Sequence, residues 1–496
     1  MNFNQDGIPL TLSIIICLII YFLIGCSDKE CIIEKGPLLK GIITNSITGE
    51  PIPDVILSDG YNVWKTDKNG EYSFHSHNDA KFIFYSLPSA YNVSLKEGRP
   101  DFYDLIDKEL KVQEKNFKLT PLPNGTEEEF SLICVADPQV KNESNLRRFN
   151  NETIKDINSE KEKYSHIYGV VLGDIVYDNM ELFEDIKYQI SSTKIPFFYT
   201  IGNHDFNYIY KNPLNAQQDY ENHFGPTYYS FSRGDAFFIV INNILYKGNK
   251  QYDKGFTNDQ ISWLAEIIKY IGKDKLLIIC IHIPIINPSL HINGDKFFQL
   301  ISNFSNVHIM SGHSHANQNI KYSNTNIYEH VHGAASGLWW SSTINKDGTP
   351  NGYSIYTIKD GDIYNWYYKS VNFDSNYQMR LYSPYSYGDS EGYVIANVWN
   401  ADNDWKIELF ENGVKTGDMV NYYDFDPATY SYLSQRAVPF YYENGNPSPW
   451  YFKTNHLFRM KPTLFNSTVE VHVTDRFGKV YKERNFFHDI DKLRRY

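Results

Sequence analysis

The stretch "IYGVVLGDIVYDN", residues 167–179, decides how this chain folds. A short apolar run reaches strand length, stops at a glycine, and gives way to Asp174, Tyr177 and Asp178. A run with no polar face predicts a strand in a sheet that is covered on both sides. The same grammar recurs four times. "FSLICVADPQ" ends in Asp137 and Gln139, "IPFFYTIGNHDF" in Asn203, His204 and Asp205, "KLLIICIHIP" in His282, and "NVHIMSGHSH" in His313 and His315. Helix-like polar stretches such as "NLRRFNNETIKDINSEKE" and "MELFEDIKYQISS" separate these runs. The alternation predicts an α/β domain. In parallel sheets the C-terminal strand ends share one edge, where ligands bind. Residues remote in sequence are therefore expected to converge there.

The residue types at those ends point to metal. Asp and Asn oxygens with His nitrogens make a mixed N/O donor set, which suits Mn, Fe or Zn and excludes a thiolate site. Cys134 and Cys280 lie inside apolar runs and read as small buried strand residues. His313 and His315 are one residue apart after Gly312; in extended chain both would project to the same side. Six or seven donors exceed what one tetrahedral ion needs, so two ions sharing a carboxylate fit better.

The ordered set "DPQ", "GDIVYD", "GNHD", "HIP" and "GHSH" resembles the calcineurin-like metallophosphoesterases across about residues 127–345. That resemblance implies an αββα sandwich of two mixed sheets with helices outside. It implies hydrolysis of phosphate monoesters or diesters by a bridging hydroxide between two metals. By position, Asp137, Gln139, Asp174 and His315 would hold the first metal, and Asp174, Asn203, His282 and His313 the second, with Asp174 bridging. His204 would face the leaving group as proton donor, oriented by Asp205 or Asp178. The family has histidine where Gln139 stands, and an amide oxygen is a poorer ligand than imidazole for a transition metal. "GDIVY" also matches a purple acid phosphatase motif, but Tyr177 reads as packing or support around the site. The alternative to an enzyme is a non-catalytic surface binding protein with a weakened metal site.

The flanks read differently. Residues 37–120 alternate short β-rich runs with turn signals at Thr48-Gly49, Asp59-Gly60 and Asn69-Gly70. They resemble a small transthyretin-like or carboxypeptidase-regulatory-like β-sandwich. "TPLPNGTEEE" (120–129) is a linker, the phosphoesterase domain is expected over 127–372, and period-two alternation over 373–496 predicts a C-terminal all-β sandwich. That last region is rich in aromatics, among them Trp399, Trp405, Tyr422, Tyr423, Trp450 and Tyr451, which serve as core or as a glycan- or protein-contacting face. His330 and His332 follow GHSH closely, and Arg147 and Arg148 follow the first ligand loop; all four are weaker candidates.

The N-terminus carries an apolar run, "IPLTLSIIICLIIYFLIG", before Cys26 and the polar "SDKE". "LIGC" resembles a bacterial lipobox. Resemblance implies a signal peptide over 1–25, diacylation of Cys26 and a tether over 26–36, with lipid chains contributing about 0.8 kcal/mol per buried CH₂. The chain would then be a lipoprotein of the bacterial envelope, outside the cytoplasm. "MNFNQDG" has no Lys or Arg, and an uncleaved transmembrane anchor is the alternative. With 496 residues the chain exceeds one ordinary core. Its net charge of −12 and lack of a basic run exclude nucleic acid as an expected partner.

Overall fold

The computed structural model describes residues 35–386, 391–434, 441–443, 446–448, 453–464 and 467–485. The expected signal segment, the lipidation site Cys26, and Trp450 and Tyr451 lie outside the described residues. Among the described residues no helix is long and apolar enough to cross a membrane.

The central domain is built on two mixed sheets. The first has the order Phe197–Thr200, Ile167–Leu172, Glu129–Val135, Gly352–Lys359, Asp362–Ser370. Its first three strands are parallel and the last two join antiparallel. The second has the order Tyr228–Arg233, Ala236–Ile241, Leu276–Cys280, Asn306–Ser311, Ile327–Val331, Gln318–Lys321, with four parallel strands between antiparallel edges.

Period-two side-chain alternation stacks the sheets. In strand Glu129–Val135, Phe130, Leu132 and Cys134 enter the core shared with Phe238, Val240 and Ile278 of the second sheet. Ile133 and Val135 enter a separate core with Phe149, Ile157, Phe183 and Ile186, from the helical segments on the other face. Helix Asn258–Ile267 covers the second sheet through Trp263, Leu264 and Ile267. The result is the two-sheet sandwich with outer helices that the family resemblance implies. The buried cysteines are both free thiols inside strands.

Two β-sandwiches flank this core. The N-terminal one pairs a sheet around Leu38–Asn45 with a sheet of order Val63–Lys65, Ile56–Ser58, Phe82–Tyr85, Tyr103–Leu105. Asp67 Oδ1 accepts from the N–H groups of Asn69 and Glu71, both at 2.9 Å, which makes "DKNG" a turn. This sandwich is bonded to the central domain: Tyr228 Oη donates to the Gly60 carbonyl (2.6 Å), and the Arg233 guanidinium donates to the carbonyls of Pro88 and Ser89. The C-terminal sandwich packs Val394–Val398 and Thr454–Met460 in one sheet against Lys406–Glu411 and Val469–Thr474 in another, around Leu409, Val471 and Val473. Buried polar groups tie it to the centre. His456 Nε2 lies 3.0 Å from Asp347 Oδ2, which also accepts from the Asn317 N–H at 2.7 Å, two residues beyond His315.

Candidate metal centre

Each candidate ligand stands just past a strand end. Asp137 follows Glu129–Val135, Asp174 follows Ile167–Leu172, Asn203 follows Phe197–Thr200, His282 follows Leu276–Cys280, and His313 follows Asn306–Ser311. Turning sharply there takes unusual backbone. Asp137, Gln139, Asp174, Asp178, His313 and His315 have φ of 49°, 41°, 51°, 57°, 66° and 52°, the left-handed region that costs a non-glycine residue roughly 1 kcal/mol or more. His313 and His315 therefore do not lie on extended chain with a shared direction, as their spacing predicts. His313 turns to His282, whereas His315 turns to Asp137.

Two glycines permit the close approach. A Cβ on Gly202 would sit 2.0 Å from the Asp174 nitrogen and 2.2 Å from its Oδ1. A Cβ on Gly173 would sit 2.6 Å from His282 Nδ1.

The donor atoms gather in two groups. In one, His282 Nε2 lies 3.2 Å from Asn203 Oδ1, 3.2 Å from His313 Nδ1 and 3.3 Å from Asp174 Oδ1. Donors bound at about 2.0–2.1 Å to a tetrahedral or octahedral ion lie roughly 2.9–3.4 Å apart, so this spacing fits one cation. The tautomer fits as well. His282 Nδ1 donates to the Leu172 carbonyl at 2.7 Å, which leaves Nε2 for a ligand. In the other group, His315 Nδ1 donates to the Gly337 carbonyl (2.9 Å) and its Nε2 faces Asp137 Oδ1 at 3.6 Å. Asp137 Oδ1 and Gln139 Oε1 are buried without a hydrogen-bond partner. Orphaned acceptors in a polar cluster are what a cation would satisfy. Gln139 turns its amide nitrogen, not its oxygen, to Asp174 Oδ2 at 2.6 Å.

Electrostatics agree with a site suited to positive charge. Burial, with the Asp174 charge behind it, pushes the Asp137 carboxyl up to about 7 against the pull of His282. Burial would raise Asp174 too, but His282 and His204 outweigh it and hold it low. For His282 burial works downward, yet Asp174 and then Asp137 lift it to about 9. Burial keeps His315 neutral, its value down to about 3, and places His313 well below the usual range. Neutral His313 and His315 offer lone pairs as they stand, and the protons held by His282 and Asp137 are the ones a metal would displace.

His204 stands apart from these donors. Its backbone N–H donates to Asp174 Oδ1 (2.9 Å), its Nδ1 bonds Asp178 Oδ1 (2.6 Å), and the Tyr177 ring stacks on it at 4.3 Å. Burial works against its charged form, but Asp174 and Asp178 raise its pKa above the usual value. Of the two acids expected to orient it, Asp178 makes the bond. Asp205 instead accepts from the N–H groups of Val176 (3.0 Å) and Gly202 (2.8 Å), so its carboxylate shapes the turn that carries Asn203.

The weaker candidates separate. Arg148 is held by Glu152 and the Trp340 carbonyl, and Trp340 donates to the Pro138 carbonyl, so both brace the first ligand loop. Trp339 stacks on His315 at 4.7 Å. His330 bonds His308 and Asn319, and His332 bonds Tyr356 and the Ser311 carbonyl, inside the core. Sequence reasoning missed Lys250, whose Nζ reaches Asp178 Oδ2 at 2.6 Å from the hairpin Ile244–Lys254, and Lys346, whose ammonium lies 4.9 Å from the Trp339 ring. It also missed Glu329. Buried, its carboxylate accepts from the N–H groups of Ile285 (2.9 Å) and Ile286 (3.1 Å) and from Ser311 Oγ (3.0 Å), tying the loop after His282 to the strand before His313. Nothing in the sequence around these three residues marks them.

Comparison with known proteins identifies the family. Three family models match in chain order: the N terminal of calcineurin-like phosphoesterase over residues 39–122, calcineurin-like phosphoesterase over 130–317, and the C terminal of calcineurin-like phosphoesterase over 329–481. The chain belongs to the calcineurin-like phosphoesterase family and is a metal-dependent phosphoric ester hydrolase. No curated protein matches it. Among solved structures it is similar to purple acid phosphatase PPD1 from yellow lupin (Lupinus luteus), with 14% identity and TM-score 0.36 over 62% of this chain and 58% of that one. GAP50, the anchor in the inner membrane complex of Plasmodium, aligns at 13% identity and TM-score 0.33 over 50% of this chain and 90% of its own. The NAD nucleotidase of Haemophilus influenzae aligns at 11% identity and TM-score 0.29 over 49% and 55%.

Proposed function

We propose that this hydrolase works through two metal ions sharing Asp174, on phosphate esters outside the cytoplasm, as a bacterial lipoprotein held by Cys26. The observation that carries the reading is the set of donors spaced 3.2–3.3 Å around His282 Nε2, next to the orphaned oxygens of Asp137 and Gln139. Ions of the Mn, Fe or Zn class would supply charge for the phosphoryl oxygens and an acidified bridging water as nucleophile.

The chain's own groups do the rest. His204 holds a proton at Nε2 while Asp178 accepts at Nδ1, so the imidazolium can donate to the leaving oxygen. Lys250 bonds the second oxygen of Asp178 and keeps that carboxylate turned to His204. Asn203 adds an oxygen without adding negative charge. Gln139 donates to Asp174 and so occupies part of the bridging carboxylate. This places the weaker grip on the Asp137 and His315 side.

The test is reloading. The full chain in detergent, stripped and then supplied with Mn, Fe or Zn, is assayed on p-nitrophenyl phosphate and bis-p-nitrophenyl phosphate alongside bound metal per chain. Two metals with turnover of at least one ester are expected. A fully metallated chain inactive on both sinks the two-metal reading.

A further inference from the structure

Three loops leave the edge that carries the ligands: 207–215 after Asn203, the hairpin segment 242–255 after strand Ala236–Ile241, and 285–294 after His282. They are joined to one another. Tyr246 Oη of the hairpin donates to the Tyr210 carbonyl at 3.0 Å, and its ring stacks on Phe206 at 5.2 Å. At the other end of the hairpin the Ile292 N–H donates to the Lys254 carbonyl, and the Phe256 N–H donates to the Ile292 carbonyl, both at 2.9 Å. Lys250 of the same hairpin reaches Asp178 beside His204. The loops thus form one rim beside the catalytic edge.

That rim shows apolar side chains to water. Ile209 is 86% exposed, Leu290 77%, Ile286 51%, Ile292 48% and Tyr210 42%. Ile286 does so with φ of 33°, a conformation that a β-branched residue adopts only when its surroundings impose it. A single exposed isoleucine needs no explanation, but a set on loops that each adjoin the site does.

Charge supplies the second observation. Across 207–215, 242–255 and 285–294 the chain has four lysines: Lys247 pairs with Asp253 (2.8 Å) and Lys250 with Asp178 (2.6 Å), and Lys211 and Lys254 stand exposed with no acid partner among the described residues. A small soluble anion would engage the lysines and leave Ile209 and Leu290 in water. An apolar pocket or helix would bury those two and leave Lys211 and Lys254 opposed by nothing. A surface that is apolar beneath and anionic at its face answers both, and that is the chemistry of an anionic lipid bilayer.

The path of the chain points the same way. Gly36 donates to the Ser76 carbonyl at 2.9 Å, Ala80 bonds back to His77, and Lys81 Nζ then reaches the Leu214 carbonyl at 2.9 Å, within the first loop. The first described residues therefore lie a few residues from the rim. The apolar run 8–25 ends about 10 residues before them in sequence, a stretch that reaches at most ~35 Å.

We propose that these three loops are the docking surface for an anionic phospholipid bilayer, which presents membrane-held phosphate esters to the site. Docking needs no turnover; only its use rests on the two-metal reading. The test takes the full chain in nanodiscs of phosphatidylcholine, with and without phosphatidylglycerol, and follows hydrogen exchange of peptides from the rim. Exchange there is expected to slow about tenfold in the anionic discs, since burying even part of two large apolar side chains exceeds that factor. Added salt should reverse much of the effect. Ile209→Asp with Leu290→Asp should abolish the slowing and keep p-nitrophenyl phosphate turnover. Three results overturn the proposal: no slowing in the anionic discs, equal slowing in the double variant, or the same slowing without lipid, which would mean that a protein surface covers the rim. Slowed exchange in a fully metallated but inactive chain would leave docking standing and remove the two-metal reading instead.

Discussion

Replacing Asp178 by Asn separates proton donation from metal binding. Asp178 Oδ1 lies 2.6 Å from His204 Nδ1, and the two side chains are only 19% and 22% exposed. The partner carboxylate is removed from the histidine, yet no donor in either ligand group is touched. A hydrogen bond to a charged group contributes roughly 1.5–3 kcal/mol. Spent in the transition state, that is about 10–100-fold in kcat. The loss should fall on substrates whose leaving oxygen needs a proton. An alkyl phosphate should lose the full factor, whereas p-nitrophenyl phosphate, whose leaving group departs as an anion, should stay within about threefold. The pH profile has a definite sign. Asp174 and Asp178 together hold His204 above its usual value against burial. Removing one of them lowers that value, so the basic limb of kcat moves to lower pH. Steady-state kinetics on both esters, with metal per chain measured in parallel, decides the matter. Equal losses on the two substrates, or a basic limb that moves upward, would refute the assignment of His204 as the donor.

Two further outcomes follow from packing and burial. Gly202→Ala places a methyl 2.0 Å from the Asp174 nitrogen, so the variant should lose bound metal and melt lower than the parent; metal analysis and thermal unfolding with both unchanged would contradict the geometry. Burial holds His332 down at about 4, whereas in the unfolded chain it titrates near 6.5. Its contribution is therefore fully present above pH 6.5 and is lost as pH falls towards 4, at up to about 1.4 kcal/mol per pH unit. Urea unfolding at neutral pH and near pH 5 should show that His332→Gln flattens this acid slope. The comparison isolates the histidine from Asp137 and Asp205, whose raised carboxyls act in the opposite direction.

What could be read from the sequence was whatever recurs with a period or sits at a strand end. The apolar runs 130–135, 167–172 and 276–280 are buried over nearly their whole length, and the carboxylates and imidazoles beyond them meet because parallel strands end on one edge. Direction was not legible. By spacing alone His313 and His315 read as a pair on one side, whereas the family resemblance assigns them to different groups; positive φ at both sends one to His282 and the other to Asp137. The sequence leaves Asp205 and Asp178 both open as the partner of His204; a tight turn folds Asp205 back on Gly202, and Asp178 arrives from the loop after strand Ile167–Leu172. Lys250 and Glu329 act from a hairpin and an inner strand that carry no ligand, so no motif points to them.

Gln139 shows where reading by residue type reaches its limit. By type it is a histidine replaced by a weaker ligand, and the first metal should simply be held less well. In the fold its amide nitrogen donates to Asp174 Oδ2 while its oxygen stays buried and unpaired. On the two-metal reading proposed above, the residue acts on the carboxylate that both ions would share. A donated proton takes electron density from one oxygen of that bridge, and the orphaned amide oxygen returns a donor of its own to the same cluster. An imidazole could return the donor but would not hold the bridge in this way. On that reading glutamine here moves part of the control of Asp174 from the metals to the protein, and both residues of the pair have left-handed backbone, at φ of 41° and 51°.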